Sequence, residues 1–411
     1  MMRWSLVHGV VPGVVVVGAF GVIAAGFRWS HGRLGVVWRI GAVVGCAMML
    51  VAGVMRMLFA RYEVVEYRWP TSFYVWVAVV VFLSVLCLVE WRHRPQVGRV
   101  WLLASIMAGV VFAASLVNAH YAYFPTIESV FGVTAAHEVS MADVARLQGQ
   151  GDLPHGVVVS VSLPASTAVF EPRAGQVYLP PAWFRRDRPA LPVVLLLAGT
   201  PGHMSDWTRA GNADRTVDRF ARAHDGVGPV LVMADSNGSF WGDTECVDRP
   251  GQEAETYLTV DVAAAVRERF GVGEGQWGVV GSSEGGTCAV MLALRHPDRF
   301  RAFADFSGEA GPTLGSHRTT VDKLFAGSED RWRASDPASL LAAWHDRPTA
   351  GWFEVGTRDR DPRRATVRLA RVGHDAGFDT QLVVRSGAHN FTFWAKAFEN
   401  ALGWLVDHLT V

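Results

Sequence analysis

Hydrophobic and polar residues divide this 411-residue sequence into two parts of different character. Long apolar runs fill residues 1–125, whereas residues 155–411 alternate short apolar segments with amphipathic ones. Four of the runs have about the 20 residues that a helix needs to cross a bilayer. The pattern therefore predicts a bundle of about four transmembrane helices, at roughly 5–27, 37–59, 71–89 and 100–122.

The alternative for the first run is a cleaved signal peptide. Only Arg3 precedes this run and three further apolar runs follow it, which favours a retained helix. Six arginines lie in or beside the first and third loops, against four in the N-terminus and second loop: Arg28, Arg33, Arg39, Arg92, Arg94 and Arg99 against Arg3, Arg56, Arg61 and Arg68. The positive-inside rule then predicts a multi-pass protein of the cell membrane whose C-terminal part lies outside the cytoplasm.

Residues 126–154 have the composition of a linker with a short helix. Ser140 precedes the segment MADVARLQGQG and is a candidate N-cap. The second folded part is expected to begin at about residue 155 and to continue to residue 411.

Residues 155–411 alternate strand-like and helix-like segments. Apolar or β-branched segments predict strands within 156–164, 174–184, 192–200, 228–238, 277–286, 300–308, 351–359 and 380–389. Helical spacing occupies 212–223, 254–271, 286–297 and 391–409. This order predicts a mostly parallel sheet flanked by helices, with functional residues at the carboxyl ends of its strands.

Composition and motifs argue against several other classes of function. The 38 basic and 38 acidic residues balance, and the basic residues are not clustered with aromatic ones, so no nucleic-acid partner is expected. The sequence contains no P-loop, no dinucleotide-binding glycine pattern and no zinc-spaced Cys/His cluster, so we predict no cofactor and no metal. Residues 243–255 are rich in carboxylates, but without EF-hand spacing a solvated acidic loop is favoured over a calcium site.

The segment Gly281-Ser282-Ser283-Glu284-Gly285 has the spacing G-x-S-x-G between a predicted strand and a predicted helix. Glycines two residues before and after Ser283 allow a sharp turn that exposes its hydroxyl. Ser282 fits this spacing less well because Val280 replaces the first glycine. Any strand–turn–helix corner favours Gly and Ser, but the apolar strand and helix around this one favour Ser283 as a nucleophile.

A serine nucleophile needs a base, and the base needs an acid to orient it. His389 directly follows the last predicted strand and is the candidate base. Asp359 ends the preceding strand and is the candidate acid, with Asp361 as the alternative and Glu354 as a more remote one. The chain order Ser, acid, His is that of α/β-hydrolases.

An oxyanion hole needs two N–H donors. The Glu284 N–H is one candidate, and Thr200 is the other because Pro201 has no N–H. The same segment after the third predicted strand contains His203 and Trp207, which we expect to be substrate contacts.

Cys246 and Cys288 are the two cysteines of the second part. In an oxidising compartment two cysteines of one domain often pair, so a disulfide between them is predicted. The alternative is that Cys288 is a buried free thiol on the apolar face of a helix.

These residues and their surroundings resemble the putative-esterase family of α/β-hydrolases, which includes feruloyl esterases, S-formylglutathione hydrolases and mycobacterial mycolyltransferases. The matching segments, over about 157–407, are VYLPPAW, LLLAGTPGHMSDW, ADSNGSFW, AETYLTVDV, GSSEGGTCAVMLALRHPDRF, FSG, VGTRDRD and GAHNFTFW. The resemblance implies an α/β-hydrolase fold, Ser283, Asp359 and His389 as nucleophile, acid and base, and Thr200 with Glu284 as the oxyanion hole. Ala198 departs from the family, since many hydrolases have His there.

Three functions follow as expectations. The first is a membrane-anchored serine esterase that cleaves carboxylic esters of envelope lipids or glycans, with the lipid bilayer and the ester as its partners. The second is an acyltransferase that moves an acyl chain to a sugar or lipid alcohol. The third is a non-catalytic envelope scaffold, which the three predicted strand-end residues argue against.

Overall fold

The computed structural model describes residues 5–6, 18, 77–81, 84, 95–131, 137–151, 153–272, 275–345 and 348–409. The chain forms two compact units, Met1–Gly132 and Val133–Val411.

The first unit contains helix α1 (Gln96–Tyr121) and the short helix α2 (Ile127–Val130) in its described part. Helix α1 contains 26 residues and, within the described ranges, is the one helix long and apolar enough to cross a membrane, judged by length and composition. It overlaps the predicted fourth span, 100–122. The predicted spans 5–27 and 37–59, and most of 71–89, lie outside the described residues, so the bundle of four helices stays a prediction.

The strands described in the second unit are β1 (Glu138–Val139), β2 (Val157–Val161), β3 (Gly175–Leu179), β4 (Val193–Leu197), β5 (Val230–Met233), β6 (Asp248–Arg249), β7 (Gln252–Glu253), β8 (Trp277–Ser282), β9 (Phe300–Phe306), β10 (Ala350–Gly356) and β11 (Asp379–Arg385). Nine of them form one sheet with the order β1-β2-β3-β5-β4-β8-β9-β10-β11, and β6 and β7 form a separate hairpin.

From β5 to β11 every neighbouring pair in the sheet is parallel, whereas β3 is antiparallel to both β2 and β5. The six parallel strands therefore present their carboxyl ends at one edge. The register aligns Leu197 with Gly281, and Phe306 with both Ser282 and Glu354. Residues that follow β4, β8, β9 and β10 consequently meet at the same level of the sheet.

Helices fill most of the connections between the strands. In chain order they are α3 (Met141–Leu147), α4 (Asp206–Arg209), α5 (Ala213–Ala223), α6 (Ala254–Thr256), a π-helical segment (Tyr257–Asp261) that continues into α7 (Val262–Phe270), α8 (Glu284–Arg295), α9 (His317–Phe325), α10 (Glu329–Arg333), α11 (Pro337–Ala342), α12 (Arg360–Asp375) and α13 (Phe391–His408). A 3₁₀ turn covers Pro181–Phe184.

The central strands are buried on both faces, as their continuous apolar sequences predict. Every residue of β4 and of β8 is buried. Helix α8 packs on β8 and β9, and α13 packs on β9 and β10. Buried strands below and packed helices beside them give the loops at the carboxyl edge a rigid base.

The segment predicted as a linker is partly incorporated into the second unit. Ser140 caps α3, and its hydroxyl accepts a hydrogen bond from the Asp143 N–H (3.2 Å), as the sequence predicted. Strand β1 pairs in parallel with β2, which adds residues 138–139 to the edge of the sheet. A strand of two residues has no recognisable period, so the sequence did not indicate it.

Candidate active site

Ser283 lies at the turn between β8 and α8, with its backbone in the left-handed region at φ 57°. This conformation is strained for a residue other than glycine and places the side chain at the tip of the turn. A Cβ on Gly281 would lie 1.8 Å from the Gly285 carbonyl oxygen, and a Cβ on Gly285 would lie 2.4 Å from that of Leu197. Both positions of the G-x-S-x-G spacing therefore require glycine here.

The predicted nucleophile, base and acid meet at this turn. His389 Nε2 lies 3.0 Å from Ser283 Oγ, and His389 Nδ1 lies 2.8 Å from Asp359 Oδ2. The side chain of Asp359 is 6% exposed and that of His389 is 18% exposed. A buried carboxylate beside Nδ1 favours the tautomer in which Nε2 can accept a proton from the serine.

Local hydrogen bonds fix the two loops that carry the acid and the base. The Asp359 N–H donates to the Gly356 carbonyl (3.1 Å) at the end of β10, and the Arg358 N–H donates to Gly387 (2.9 Å) in the loop of His389. Asn390 caps α13 by accepting from the Phe393 N–H (3.0 Å). The base therefore lies between a strand end and a capped helix.

The two alternative acids lie elsewhere. The side chain of Asp361 is 61% exposed and pairs with Arg364 on the first turn of α12. Glu354 is fully buried within β10, where its carboxylate pairs with Arg385 and accepts from Asn400. The structure therefore brings Asp359, and neither of these two, to His389.

The oxyanion-hole candidates flank Ser283. Glu284 is the first residue of α8, so its N–H has no carbonyl partner within the helix. Gly199, next to Thr200, lies against the serine: a Cβ added there would be 3.0 Å from Ser283 Cβ. The side chains of Thr200 and Glu284 are hydrogen-bonded to each other. The assignment of their N–H groups to an oxyanion hole stays a prediction.

The two candidate substrate contacts differ in their surroundings. His203 is half-buried, and its Nδ1 accepts from the Ser205 N–H (3.2 Å) within the same loop; burial, with the nearby Arg173 and Arg209, lowers its pKa. Trp207 is 1% exposed and donates its indole N–H to the Leu197 carbonyl (2.9 Å). The expectation for Trp207 is corrected, because a side chain packed in the core below β4 supports the loop and does not line its surface.

Cys246 and Cys288 form a disulfide. Cys288 lies one turn after Glu284 on α8, and Cys246 lies on the segment after β5. Both cysteines are fully buried. The bond therefore ties the loop after β5 to the helix that follows Ser283. The free-thiol alternative for Cys288 does not fit this geometry.

Several carboxyls near Ser283 have surroundings that the sequence did not predict. Among them is Glu245, which is 2% exposed although it lies in segment 243–255, predicted to be a solvated acidic loop. Asp305 at the end of β9 is fully buried, and its Oδ1 accepts from the Gly308 N–H (2.6 Å). Burial raises the pKa of Asp305 to about 7, and the charge of Asp359 adds to the rise. Burial also raises the pKa of Glu245 well above its usual value, and that of Asp243 to about 6. The prediction of a solvated loop at 243–255 is therefore wrong for Glu245, because its burial depends on the assembled fold and not on the local composition.

Asp305 leads to a prediction about stability. A carboxyl whose pKa is higher in the folded than in the unfolded chain makes the free energy of unfolding fall as pH rises, by about 1.4 kcal/mol per unit between about pH 4 and 7. Asp305→Asn keeps the acceptor for Gly308 and cannot ionise. We expect the variant to melt above wild type at pH 8 and close to it at pH 4, measured by thermal unfolding of the full-length protein in detergent. An equal difference at both pH values would contradict this account.

Comparison with known proteins places this site in a family. An uncharacterized protein of Corynebacterium glutamicum is 33% identical over 414 residues, covering 93% of this chain and 94% of that protein. The MPT51/MPB51 antigen of Mycobacterium tuberculosis is 28% identical over 271 residues, covering 58% of this chain and 83% of the antigen. A solved ferulic acid esterase is similar in structure, with a TM-score of 0.54 and 19% identity over 62% of this chain and 98% of its own, which shows an α/β-hydrolase fold.

The family model described as Putative esterase matches residues 166–405. This range contains Ser283, Asp359 and His389 and more than half of the chain. The chain therefore belongs to the Putative esterase family.

Proposed function

We propose that this protein is a membrane-anchored serine esterase that hydrolyses carboxylic esters of cell-envelope lipids or glycans outside the cytoplasm. The observation that carries the proposal is the continuous hydrogen-bonded chain from Ser283 Oγ through His389 to Asp359. Residues on three separate strand ends meet with the spacing that acyl transfer to a serine requires.

In the proposed reaction Ser283 Oγ attacks the ester carbonyl while His389 Nε2 takes the hydroxyl proton. Asp359 stabilises the imidazolium that forms, and the N–H groups of Thr200 and Glu284 bind the negative oxygen of the tetrahedral intermediate. The intermediate collapses with loss of the alcohol, which receives the proton from His389. Water then attacks the acyl-serine with His389 again as base, which releases the carboxylic acid and restores Ser283.

An exposed pair of aromatic side chains favours a substrate with an apolar acyl group. Phe240 and Trp241 are 38% and 70% exposed, and their rings pack edge to face with centroids 5.0 Å apart. The Phe240 carbonyl accepts from the Gly202 N–H (3.1 Å), and the Gly242 carbonyl accepts from Thr200 Oγ1 (2.7 Å). The exposed rings are thus held beside the loop after β4 that contains Thr200. An acyl chain whose ester carbonyl is at Ser283 can extend out of the active site and contact them.

Membrane anchoring and the extracytoplasmic location rest on three supports. Helix α1 has the length and composition of a membrane span. The arginine distribution favours an external second unit. The Cys246–Cys288 disulfide suits an oxidising compartment. Protease added to intact spheroplasts should then digest the 133–411 region, whereas protection of that region until lysis would refute the location.

The experiment that tests the activity is product analysis with the full-length protein in lipid vesicles. The vesicles receive a short-chain soluble ester, a long-chain lipid ester and a sugar alcohol as an alternative acceptor. We expect free carboxylic acid as the main product and faster turnover of the long-chain ester, with Ser283→Ala as the inactive control. Acyl transfer to the sugar as the main product would favour the acyltransferase, and no turnover by a folded protein would favour the scaffold.

A further inference from the structure

The carboxyl of Glu284 is buried directly beside Ser283, and the proposed mechanism uses only its N–H. Glu284 is 5% exposed, at the first position of α8. A buried carboxyl one residue from a nucleophile affects any negative charge that forms there, since the effective dielectric constant of a protein interior is low. Its protonation state therefore matters to the reaction.

Glu284 links three strand ends through one oxygen atom. Its Oε2 is hydrogen-bonded to Thr200 Oγ1, after β4, and lies 2.9 Å from Asn237 Nδ2, after β5. Asn237 Nδ2 also lies 2.9 Å from Thr200 Oγ1. Asn237 is itself fixed, because its Oδ1 accepts from the Thr244 N–H (3.0 Å). The side chains of Thr200, Asn237 and Glu284 therefore form a closed triangle of hydrogen bonds beside the turn of Ser283.

The hydrogens available to this triangle determine where a proton must sit. Thr200 Oγ1 carries one hydrogen, and the Gly242 carbonyl at 2.7 Å can only accept it. The two hydrogens of Asn237 Nδ2 serve Thr200 and Glu284. The remaining contact, between Thr200 Oγ1 and Glu284 Oε2, then needs a hydrogen that only Glu284 can supply. All four contacts are satisfied together when Glu284 is a neutral carboxylic acid.

The surroundings of Glu284 also favour the neutral form. Burial raises the pKa of its carboxyl well above the usual value, the charge of Asp243 adds to the rise, and the bonds from Thr200 and Asn237 offset part of it. Glu309 acts in the same direction as Asp243, and Glu245 faces Glu284 as a further carboxyl. The donor atoms of Cys246, Glu284 and Cys288 lie within 4.8 Å of one another, but the two sulfur atoms are joined in the disulfide and bring no positive charge.

We propose that Glu284 is a positioning residue that acts as a neutral acid, and that its proton holds the Thr200 loop against the nucleophile helix. This role rests on the proposed function, because it serves the oxyanion formed at Ser283. Ionisation would remove the hydrogen that Glu284 gives to Thr200. It would also place a negative charge beside the developing oxyanion, and both effects raise the barrier in the transition state. Activity should therefore fall as pH rises through the ionisation of this group.

The pH profile of kcat for a soluble ester tests the role, with full-length wild type, Glu284→Gln and Glu284→Leu. Glutamine cannot ionise, and its amide nitrogen can donate to Thr200 although it cannot accept from Asn237 as Glu284 Oε2 does. We expect Glu284→Gln to keep kcat within about tenfold of wild type at pH 7 and to lose the alkaline decline. Glu284→Leu, which supplies no donor, should lower kcat a further tenfold or so with little change in KM. An unchanged alkaline decline in Glu284→Gln would overturn the proposal.

Glu245→Gln is the matched control. It makes the same substitution in the same buried group, but Glu245 Oε1 accepts from the Thr313 N–H (3.0 Å) and not from Thr200. The alkaline decline should persist in this variant. If its decline disappears as well, the cluster as a whole, and not Glu284, is the titrating unit.

Infrared difference spectra separate this proposal from the proposed function, since they need no substrate. At pH 7 the wild type minus Glu284→Gln spectrum should contain the carbonyl band of a protonated carboxylic acid, and at high pH that band should give way to a carboxylate band. A carboxylate band already at pH 7 would refute the neutral acid even in an active enzyme. The protonated band in a protein that cleaves no ester would leave Glu284 assigned and refute the esterase.

Discussion

Ser283→Ala is expected to lower kcat for ester cleavage by about 10⁴- to 10⁶-fold while the protein remains folded. The substitution removes the only atom that can form the acyl-enzyme and leaves His389 and Asp359 in place. Alanine keeps the Cβ and the backbone N–H of Ser283, and this N–H makes the bond to the Phe306 carbonyl (3.0 Å) that ties the turn to β9. Residual rate would come from binding and oxyanion stabilisation alone.

Ser282→Ala provides a matched control for this result. Ser282 precedes the nucleophile, is 1% exposed, and has a hydroxyl without a hydrogen-bond partner among the described residues. We expect its loss to change kcat by less than about tenfold. A fluorophosphonate probe should label wild type and Ser282→Ala and fail to label Ser283→Ala. Labelling of Ser283→Ala, or its loss in Ser282→Ala, would show that the nucleophile is a different residue.

The residues around Ser283 could be predicted because their chemistry depends on local spacing. A glycine two residues on each side of a serine, between an apolar strand and an apolar helix, is visible within ten residues of sequence. His389 and Asp359 follow predicted strands, and parallel strands bring their carboxyl ends to one edge. The eight predicted strands all occur in the sheet. The central strands were predictable because strands buried on two faces have continuous apolar sequences, whereas β11 at the end of the sheet is mostly exposed and was indicated by its β-branched residues.

The elements that were missed have weak local signals. Helix α12 has seven charged residues among its 16 and buries only a narrow stripe of small and apolar ones: Ala365, Thr366, Leu369, Ala370 and Gly373. The helices α9, α10 and α11 are short, and their packing is decided by tertiary contacts. For Trp207, the sequence analysis placed the residue in the correct loop. Its side chain packs into the core because Phe306 and Phe398 lie there as ring partners, and these contacts are not visible in the local sequence.

The network at Glu284 lay beyond the sequence for a different reason. Glu284, Thr200 and Asn237 follow β8, β4 and β5, and these strands are adjacent in the sheet order β5-β4-β8 although their sequence order differs. The order of strands within a sheet is set by how the crossovers pack, which the local pattern does not specify. A polar contact between strand ends therefore becomes visible only when the topology is known, even though each strand was predicted.

Asp359→Asn is expected to lower kcat by about 10⁴-fold, whereas Asp361→Asn should change it by less than about threefold. The two substitutions remove the same charge at positions only two residues apart. In Asp359→Asn the new side chain would present an amide to His389 Nδ1 and favour the tautomer that leaves the proton on Nε2, where the ring cannot accept one from Ser283. Asp361 pairs with Arg364 at the surface and has no such contact in the structure.

The pH dependence distinguishes this tautomer effect from a loss of structure. If Asp359 orients and stabilises the imidazolium, the kcat of Asp359→Asn should recover toward high pH between pH 6 and 10, because hydroxide replaces the missing base. The melting temperature of the variant should equal that of wild type over the same pH range. A flat profile with a lowered melting temperature would indicate a damaged fold. A larger loss in Asp361→Asn than in Asp359→Asn would reverse the assignment, and it would require the first turn of α12 to rearrange when substrate binds, since Asp361 is 61% exposed in this structure.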